Sequence, residues 1–261
     1  MNNVLYYHVH LTDDPKIWSS IVIEQLKYLE DTHLMGNLSQ INVRCITQDD
    51  YRNQMFMELV GTYKKKFDVE FVANHFPNDE TMLTNRDAPT AFSEDVTLTK
   101  IWEDAQTSDN NILYIHTKGT TSFSNHLGPG GMKRHKEYYY WRQFMNWGVM
   151  ERWRDCVHAL NHGYDTAGAN YLSEPLPHYS GNFWWTKSEH VRKLPRPIQK
   201  IWWQELKEKK PETSAMAQRM GDEMWLCSPA NTKSYDIVEI PAEIRPLHAC
   251  LSRYEMKECL R

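Results

Sequence analysis

The sequence predicts an α/β fold: one domain with a mostly parallel central sheet flanked by helices. Three observations carry that reading. From Val4 to Gly119, short apolar runs alternate with segments of helical period in the order β-α-β-α-β-α-β, the signature of parallel strands joined by crossover helices. The run Ile112-Leu113-Tyr114-Ile115 is apolar at every position, as a strand buried on both faces must be, and it stops abruptly at His116-Thr117-Lys118-Gly119. No linker, repeat or low-complexity tract divides the chain, so residues 1–228 read as one domain and 229–261 as a C-terminal extension packed on it.

Val4–His10 is the first strand. Asp13-Asp14-Pro15 then starts a helix to about Glu30, with an aspartate at the cap, proline in the first turn and an apolar face of Trp18, Ile21, Val22, Leu26 and Leu29. Ile41–Ile46 is a second strand, residues 50–63 a helix, and Phe67–Val72 a third strand that alternates. Residues 76–91 carry Pro, Asn and Asp and read as a surface loop before a helix over 94–106. The opening strand, Ile112–His116, follows. A loop through Gly128-Pro129-Gly130-Gly131 is expected to be mobile, ahead of one long helix over 136–161. Ser188 caps a short helix to Leu194. Residues 200–212 read as an exposed helix around Trp202-Trp203, 214–226 as a further helix, and Asp236–Ile240 as a late strand.

Composition narrows the function classes. A net charge of −4 over 261 residues gives no bulk basic character for nucleic acid. No apolar run approaches the ~18 residues of a transmembrane helix, and Met1-Asn2-Asn3 lacks the cationic start of a signal peptide. The five cysteines (45, 156, 227, 250 and 259) are widely spaced, with no Cys-x-x-Cys pair, and read as reduced thiols of a cytoplasmic protein. Ten Trp and fourteen Tyr fit a protein that stacks on sugars or bases, although filling the core accounts for most of them.

Three constellations carry chemistry. His116-Thr117-Lys118-Gly119 sits at the carboxyl end of a buried strand, where open α/β sheets bind ligands; Lys118 offers phosphate a point charge and Gly119 a close backbone approach. The bland alternative is an ordinary strand-to-loop exit. Pro177–Trp185 sets His178, Ser180, Gly181 and Asn182 directly before Trp184 and Trp185, a possible floor for a sugar or acceptor; a strand packing its aromatics inward reads equally well. In Arg219-x-x-Asp222-Glu223-x-Trp225, Glu223 or Asp222 is a candidate general base, against a plain ion pair between Arg219 and Glu223 four residues apart. The pairs His8/His10 and His158/His162 lack obvious further metal ligands. Gly-x-Gly-x-x-Gly, Walker-type and Gly-x-Ser-x-Gly loops are absent, as is any Asp-x-Asp; Asp68-Val69-Glu70 comes nearest, early in its strand.

Taken jointly, Leu113–Gly119, Tyr140-Trp141-Arg142-x-x-Met145, Gly168-Ala169-Asn170, His178–Trp185 and Glu223-x-Trp225-Leu226 resemble a GT-A-type glycosyltransferase family of bacteria and large DNA viruses, in the order and spacing of the chlorella-virus glycosyltransferase domain. The resemblance spans roughly Val4 to Leu226. It implies a single Rossmann-like GT-A domain that takes a sugar from a nucleotide-sugar donor, taken as UDP-linked, to a hydroxyl of a glycan or glycoprotein acceptor. It places the nucleotide near His8, the sugar diphosphate at His116, Thr117, Lys118 and Gly119, and the acceptor near Ser180–Trp185. Most GT-A enzymes hold Mn2+ or Mg2+ through Asp-x-Asp at this strand end. Here the position reads His116-Thr117-Lys118, which puts that metal in doubt and leaves Lys118, with Arg142 or Lys133, to offset the diphosphate charge; a metal on Asp109 or a distant carboxylate stays open. The expected chemistry is inverting displacement, with Glu223 or Asp222 as base by analogy and Asp165 in reserve. The competing readings are a non-catalytic carbohydrate- or nucleotide-binding module and an aromatic-rich scaffold.

Overall fold

A computed structural model describes residues 1–47, 49–63, 66–73, 94–120, 129–174, 176–197 and 221–238; for residue 73 and residues 129–137 it describes the backbone alone. Seven strands form one sheet in the order β3-β2-β1-β4-β8-β5-β9, where β1 is Asn2–His10, β2 Leu38–Thr47, β3 Phe67–Ala73, β4 Asn110–His116, β5 Thr166–Gly168, β8 Trp184–Lys187 and β9 Ser234–Asp236. The first four are parallel, β8 runs antiparallel between β4 and β5, and β9 is parallel to β5. The short strands β6 (Tyr171–Leu172) and β7 (His178–Tyr179) pair by themselves. The expected mostly parallel α/β sheet is therefore present.

Helix α1 (Pro15–Asp31) starts where Asp14 accepts from the Lys16 amide and Pro15 occupies the first turn. A short α2 (Leu34–Asn37) follows it. In α3 (Asp50–Leu59), Asp49 caps in the same way through the Arg52 amide; the helix then tightens to a 3-10 turn at Gly61–Tyr63 instead of running on. Helix α4 (Asp95–Ala105) leads into β4. The expected single long helix is instead three pieces: α5 (Pro129–Asn146), a π-helical turn (Trp147–Glu151) and α6 (Trp153–Asn161). Gly130 and Gly131, expected in a loop, lie inside the first of these, while 121–128 lie outside the described residues.

The π turn has a local cause. A Cβ on Gly148 would stand 2.4 Å from that of Ala169, so only glycine lets the helix approach the end of β5. There the Val149 carbonyl accepts from Trp185 Nε1 at 2.8 Å.

Two apolar layers cover the sheet. Leu5, Tyr7, Val9, Leu113, Ile115 and Trp185 face α1 and the α5–α6 side, whereas Val4, Tyr6, Ile112, Tyr114 and Trp184 face α4 and α7 (Ser188–Val191). Alternate residues of each strand serve opposite layers, which is why these strands are apolar at nearly every position. The late strand begins at Ser234, not Asp236; Ile237 and Val238 leave it buried, and the Ile237 amide donates to Gly168. Residues 234–236 thus belong to the same sheet as β5, and 237–238 pack against its core. The expected loop over 76–91 and the Trp202-Trp203 helix lie outside the described residues, and of the 214–226 helix only residues 221–224 are described, as helix. Among the described residues no helix is long and apolar enough to cross a membrane.

Candidate functional site

The strand order places the site. From β1 the chain builds outward through β2 and β3, then returns to the other side of β1 as β4, so the two central strands diverge in connection at their carboxyl ends. Such a switch point opens a crevice in doubly wound sheets. His8 stands beside His116 in the register, the Thr117 amide donates to the His8 carbonyl at 3.1 Å, and Thr117 Oγ1 accepts from the His10 amide at 3.0 Å. Thr117 thus stitches the two strand ends together.

Beyond it, Lys118 is turned inward and only 3% of its side chain is exposed. Its ammonium lies 3.5 Å from Glu223 Oε1 and 4.1 Å over the Trp141 ring. Its carbonyl accepts from Arg142 at 2.8 Å, and Arg142 is held by Glu24 through two further bonds. Asn146 donates to the same Glu24, and Gln25 donates to the His116 carbonyl at 3.0 Å. Arg142 therefore braces the Lys118 turn, with its own charge met by Glu24. The backbone of Gly119 has φ +98°, with the Arg142 guanidinium against it.

On the opposite face, His116 Nδ1 lies 3.2 Å from Glu94 Oε1 and Nε2 lies 2.9 Å from the Gly181 carbonyl oxygen. Glu94 Oε2 accepts from Tyr114 at 2.7 Å and from Asn182. The Asn182 amide has its orientation set by Trp184 Nε1, which donates to Oδ1 at 2.7 Å. Burial, then the nearby Glu94, push the Tyr114 phenol well above its ordinary range, so it stays a donor. His8, bonded to Thr97 Oγ1, is lowered to about 3 chiefly by burial and is neutral.

The stretch 179–182 is a tight turn closed by the Asn182 amide on the Tyr179 carbonyl at 2.9 Å. Gly181 and Asn182 both have positive φ, and a Cβ on Gly181 would fall 2.1 Å from Met145 Sδ. The Gly181 amide points at Glu223 Oε2, 3.5 Å away. Residues 116–119, 141–142, 180–182 and 222–223 thus converge. Others do not join them in the expected way. Trp184 and Trp185 are wholly buried on opposite faces of β8, against Tyr114 and the π turn respectively, so neither can stack on a sugar. His178 is buried with its Nδ1 on the Leu176 carbonyl. Asp165 lies level with Asn111 and Lys187, at the far end of β4 from His116, roughly 17 Å along the strand; it holds the Lys233 amide instead. Asp109 pairs with Arg192 at 2.6 Å. The side chain of Lys133 and all of Arg219 lie outside the described residues.

The donor set at this edge does not fit a divalent ion. His116 is engaged at both nitrogens, Lys118 brings a cation, and among the described residues no three His, Cys, Asp or Glu side chains converge as metal ligands. Sequence reading also passed over Glu94, Glu24, Gln25 and Asn146. The only signal for Glu94 was an acidic pair, Glu94-Asp95, at a helix start, which reads as ordinary helix-end electrostatics.

No curated protein matches the sequence. A family model does, over residues 6–232, from within β1 to just short of β9, and its description is a domain of unknown function, DUF8361. That span takes in every residue of the switch-point cluster, and the chain belongs to this family.

Proposed function

We propose that the protein is a glycosyltransferase of GT-A type that moves a sugar from a nucleoside-diphosphate donor to a hydroxyl of a glycan or glycoprotein acceptor. One observation supports this above the others: a lysine and a carboxylate, Lys118 and Glu223, face each other at the switch point of the parallel sheet. One is the group a leaving diphosphate needs and the other the group an attacking hydroxyl needs.

In this reading the donor diphosphate takes the place of the Glu223 carboxylate beside Lys118. Glu223 is then released to accept the proton of the acceptor hydroxyl as that oxygen attacks the anomeric carbon. The bond from that carbon to the diphosphate oxygen breaks, and its electron pair leaves with the nucleoside diphosphate, whose charge Lys118 offsets. The configuration inverts. Asp222, 2% exposed, is the weaker candidate base because burial leaves it little access to an acceptor. The phosphate role falls to Lys118, and the acceptor side to Ser180 and Gly181 beside Glu223 rather than to Asn182 and the tryptophans buried behind them.

The test is a panel of nucleotide sugars, UDP-linked ones first, incubated with the full chain. Slow release of nucleoside diphosphate, abolished by Glu223→Gln, is expected. Ligand-dependent thermal stabilisation with no turnover of any donor would favour a binding module instead.

A further inference from the structure

The proton inventory of the Glu94–His116 contact does not close with both groups in their commonest neutral-pH forms. A carbonyl oxygen can only accept, so His116 Nε2, 2.9 Å from the Gly181 oxygen, carries a hydrogen. A neutral imidazole would then turn a bare lone pair at Nδ1 toward Glu94 Oε1, 3.2 Å away. Glu94 Oε2 has no proton to lend, because it already accepts from Tyr114 and Asn182. Two lone pairs facing each other in the core would be a costly contact.

We propose that Glu94 and His116 share one proton between Oε1 and Nδ1, hold it through neutral and mildly alkaline pH, and so act as a positioning pair for the Gly181 turn. The second half follows from what His116 grips. It fixes the carbonyl of Gly181 while the amide of the same residue meets Glu223 Oε2, whose partner oxygen meets Lys118. A continuous series runs from buried Glu94 through His116 and Gly181 to Glu223 and Lys118. Gly181 has φ +92° and Asn182 φ +60°, so the turn needs external bonds to hold its shape. The pair touches no reacting atom. Its bearing on catalysis rests on the proposed role of Glu223, but its proton does not.

The surroundings favour retention of the proton. Asp95 at the start of α4 and Asp222 in the 221–224 helix both act on the neighbouring Tyr114, and each is almost fully buried. From β1, the facing group is neutral His8. From the turn that leads into β8, the edge of the Phe183 ring meets His116 and the Asn182 amide meets Glu94. Among the described residues Lys118 brings a cation to this series, and its charge is met by Glu223. A proton on the pair offsets negative charge that would otherwise accumulate around Tyr114.

Histidine 15N and side-chain carboxyl 13C NMR of the full chain tests this from about pH 6 to about pH 9. Throughout that range His116 is expected to keep a hydrogen between Nδ1 and Glu94 Oε1. Titration of His116 with an ordinary midpoint near 6.5, leaving both groups without it at pH 8, would overturn the proposal. Glu94→Gln carries its own N–H to Nδ1 and keeps an oxygen for Tyr114 and Asn182. In that variant His116 should be a neutral Nε2–H tautomer at pH values near 8 and above while Gly181 amide exchange stays slow. Glu94→Ala should speed that exchange by about tenfold or more; unchanged exchange would refute the positioning role. The wild-type spectra decide the proton even if a variant fails to fold. None of these readouts depends on sugar transfer, so failure of the pair and failure of the glycosyltransferase reading are separable.

Discussion

Lys118 and Glu223 lie more than a hundred residues apart in sequence, yet their charged atoms are 3.5 Å apart, with the lysine 3% and the glutamate 16% exposed. A pair this sheltered is screened little by salt, and removing one partner strands the other. Lys118→Ala is expected to weaken nucleoside diphosphate binding by about tenfold or more, about 1.4 kcal/mol, measured by isothermal titration calorimetry. Lys118→Met should lose the same affinity while keeping the stem packed on Trp141, separating charge from packing. Unchanged binding in both would remove Lys118 from the donor site.

Glu223 has the better access of the two late carboxylates. Glu223→Gln is expected to lower kcat for transfer by about 100-fold to 10,000-fold, with the melting temperature changed by only a few degrees. Asp222→Asn should cost more in stability than in rate, because Asp222 is the more buried. Steady-state kinetics beside thermal melts checks both. If each variant turns over at the wild-type rate, no late carboxylate is the base.

Gly181 cannot be replaced cheaply. Alanine there meets both a positive φ and the sulfur of Met145. The backbone cost is about 1–2 kcal/mol, and the overlap adds to it. Gly181→Ala should therefore lower unfolding free energy by roughly 2 kcal/mol or more, measured in urea, and any transfer activity should fall further than stability alone explains. Pairing it with Met145→Ala should recover part of the loss by opening room for the new methyl.

Acid should destabilise the fold through His8. Burial lowers this histidine to about 3, against 6.5 in the unfolded chain, so it is neutral when folded and takes up a proton on unfolding in mild acid. Stability is full above the unfolded value and declines as pH drops below 6.5, levelling only near 3. The loss at pH 5 is about 2 kcal/mol. His190, also lowered chiefly by burial, adds in the same direction. Urea midpoints at pH 7 and pH 5 should differ less in His8→Asn than in the wild type; equal differences would acquit His8.

Three thiols should be silent in the native state. Cys45, Cys156 and Cys227 are buried, and burial raises each thiol, Cys227 to about 12. Ellman's reagent at pH 8 should modify them only on unfolding, read by mass spectrometry of labelled peptides. Fast labelling of Cys45 in the folded protein would show that the β1–β2 core opens locally.

The sequence by itself determined the strand-and-helix order through β4, because apolar runs and helical periods are local properties, and caps such as Asp14-Pro15 mark their own helix. It also singled out His116–Gly119, Ser180–Asn182 and Asp222-Glu223 as places where polar groups interrupt apolar ones. It could not tell whether Trp184 and Trp185 face a ligand or the core. A strand buried on both faces has no polar side to mark its orientation, and only pairing with β4 on one edge and β5 on the other sends both rings inward. The helix over 136–161 turns π-helical at Trp147, where Gly148 packs closely on Ala169, distant in sequence. Asp165 left the cluster because an antiparallel register puts it level with the wrong end of β4. Glu94 entered it for the converse reason: its value lies in His116, Tyr114 and Asn182, three partners drawn from two other segments. Local chemistry chose the segments; strand pairing between distant segments decided which of their side chains meet.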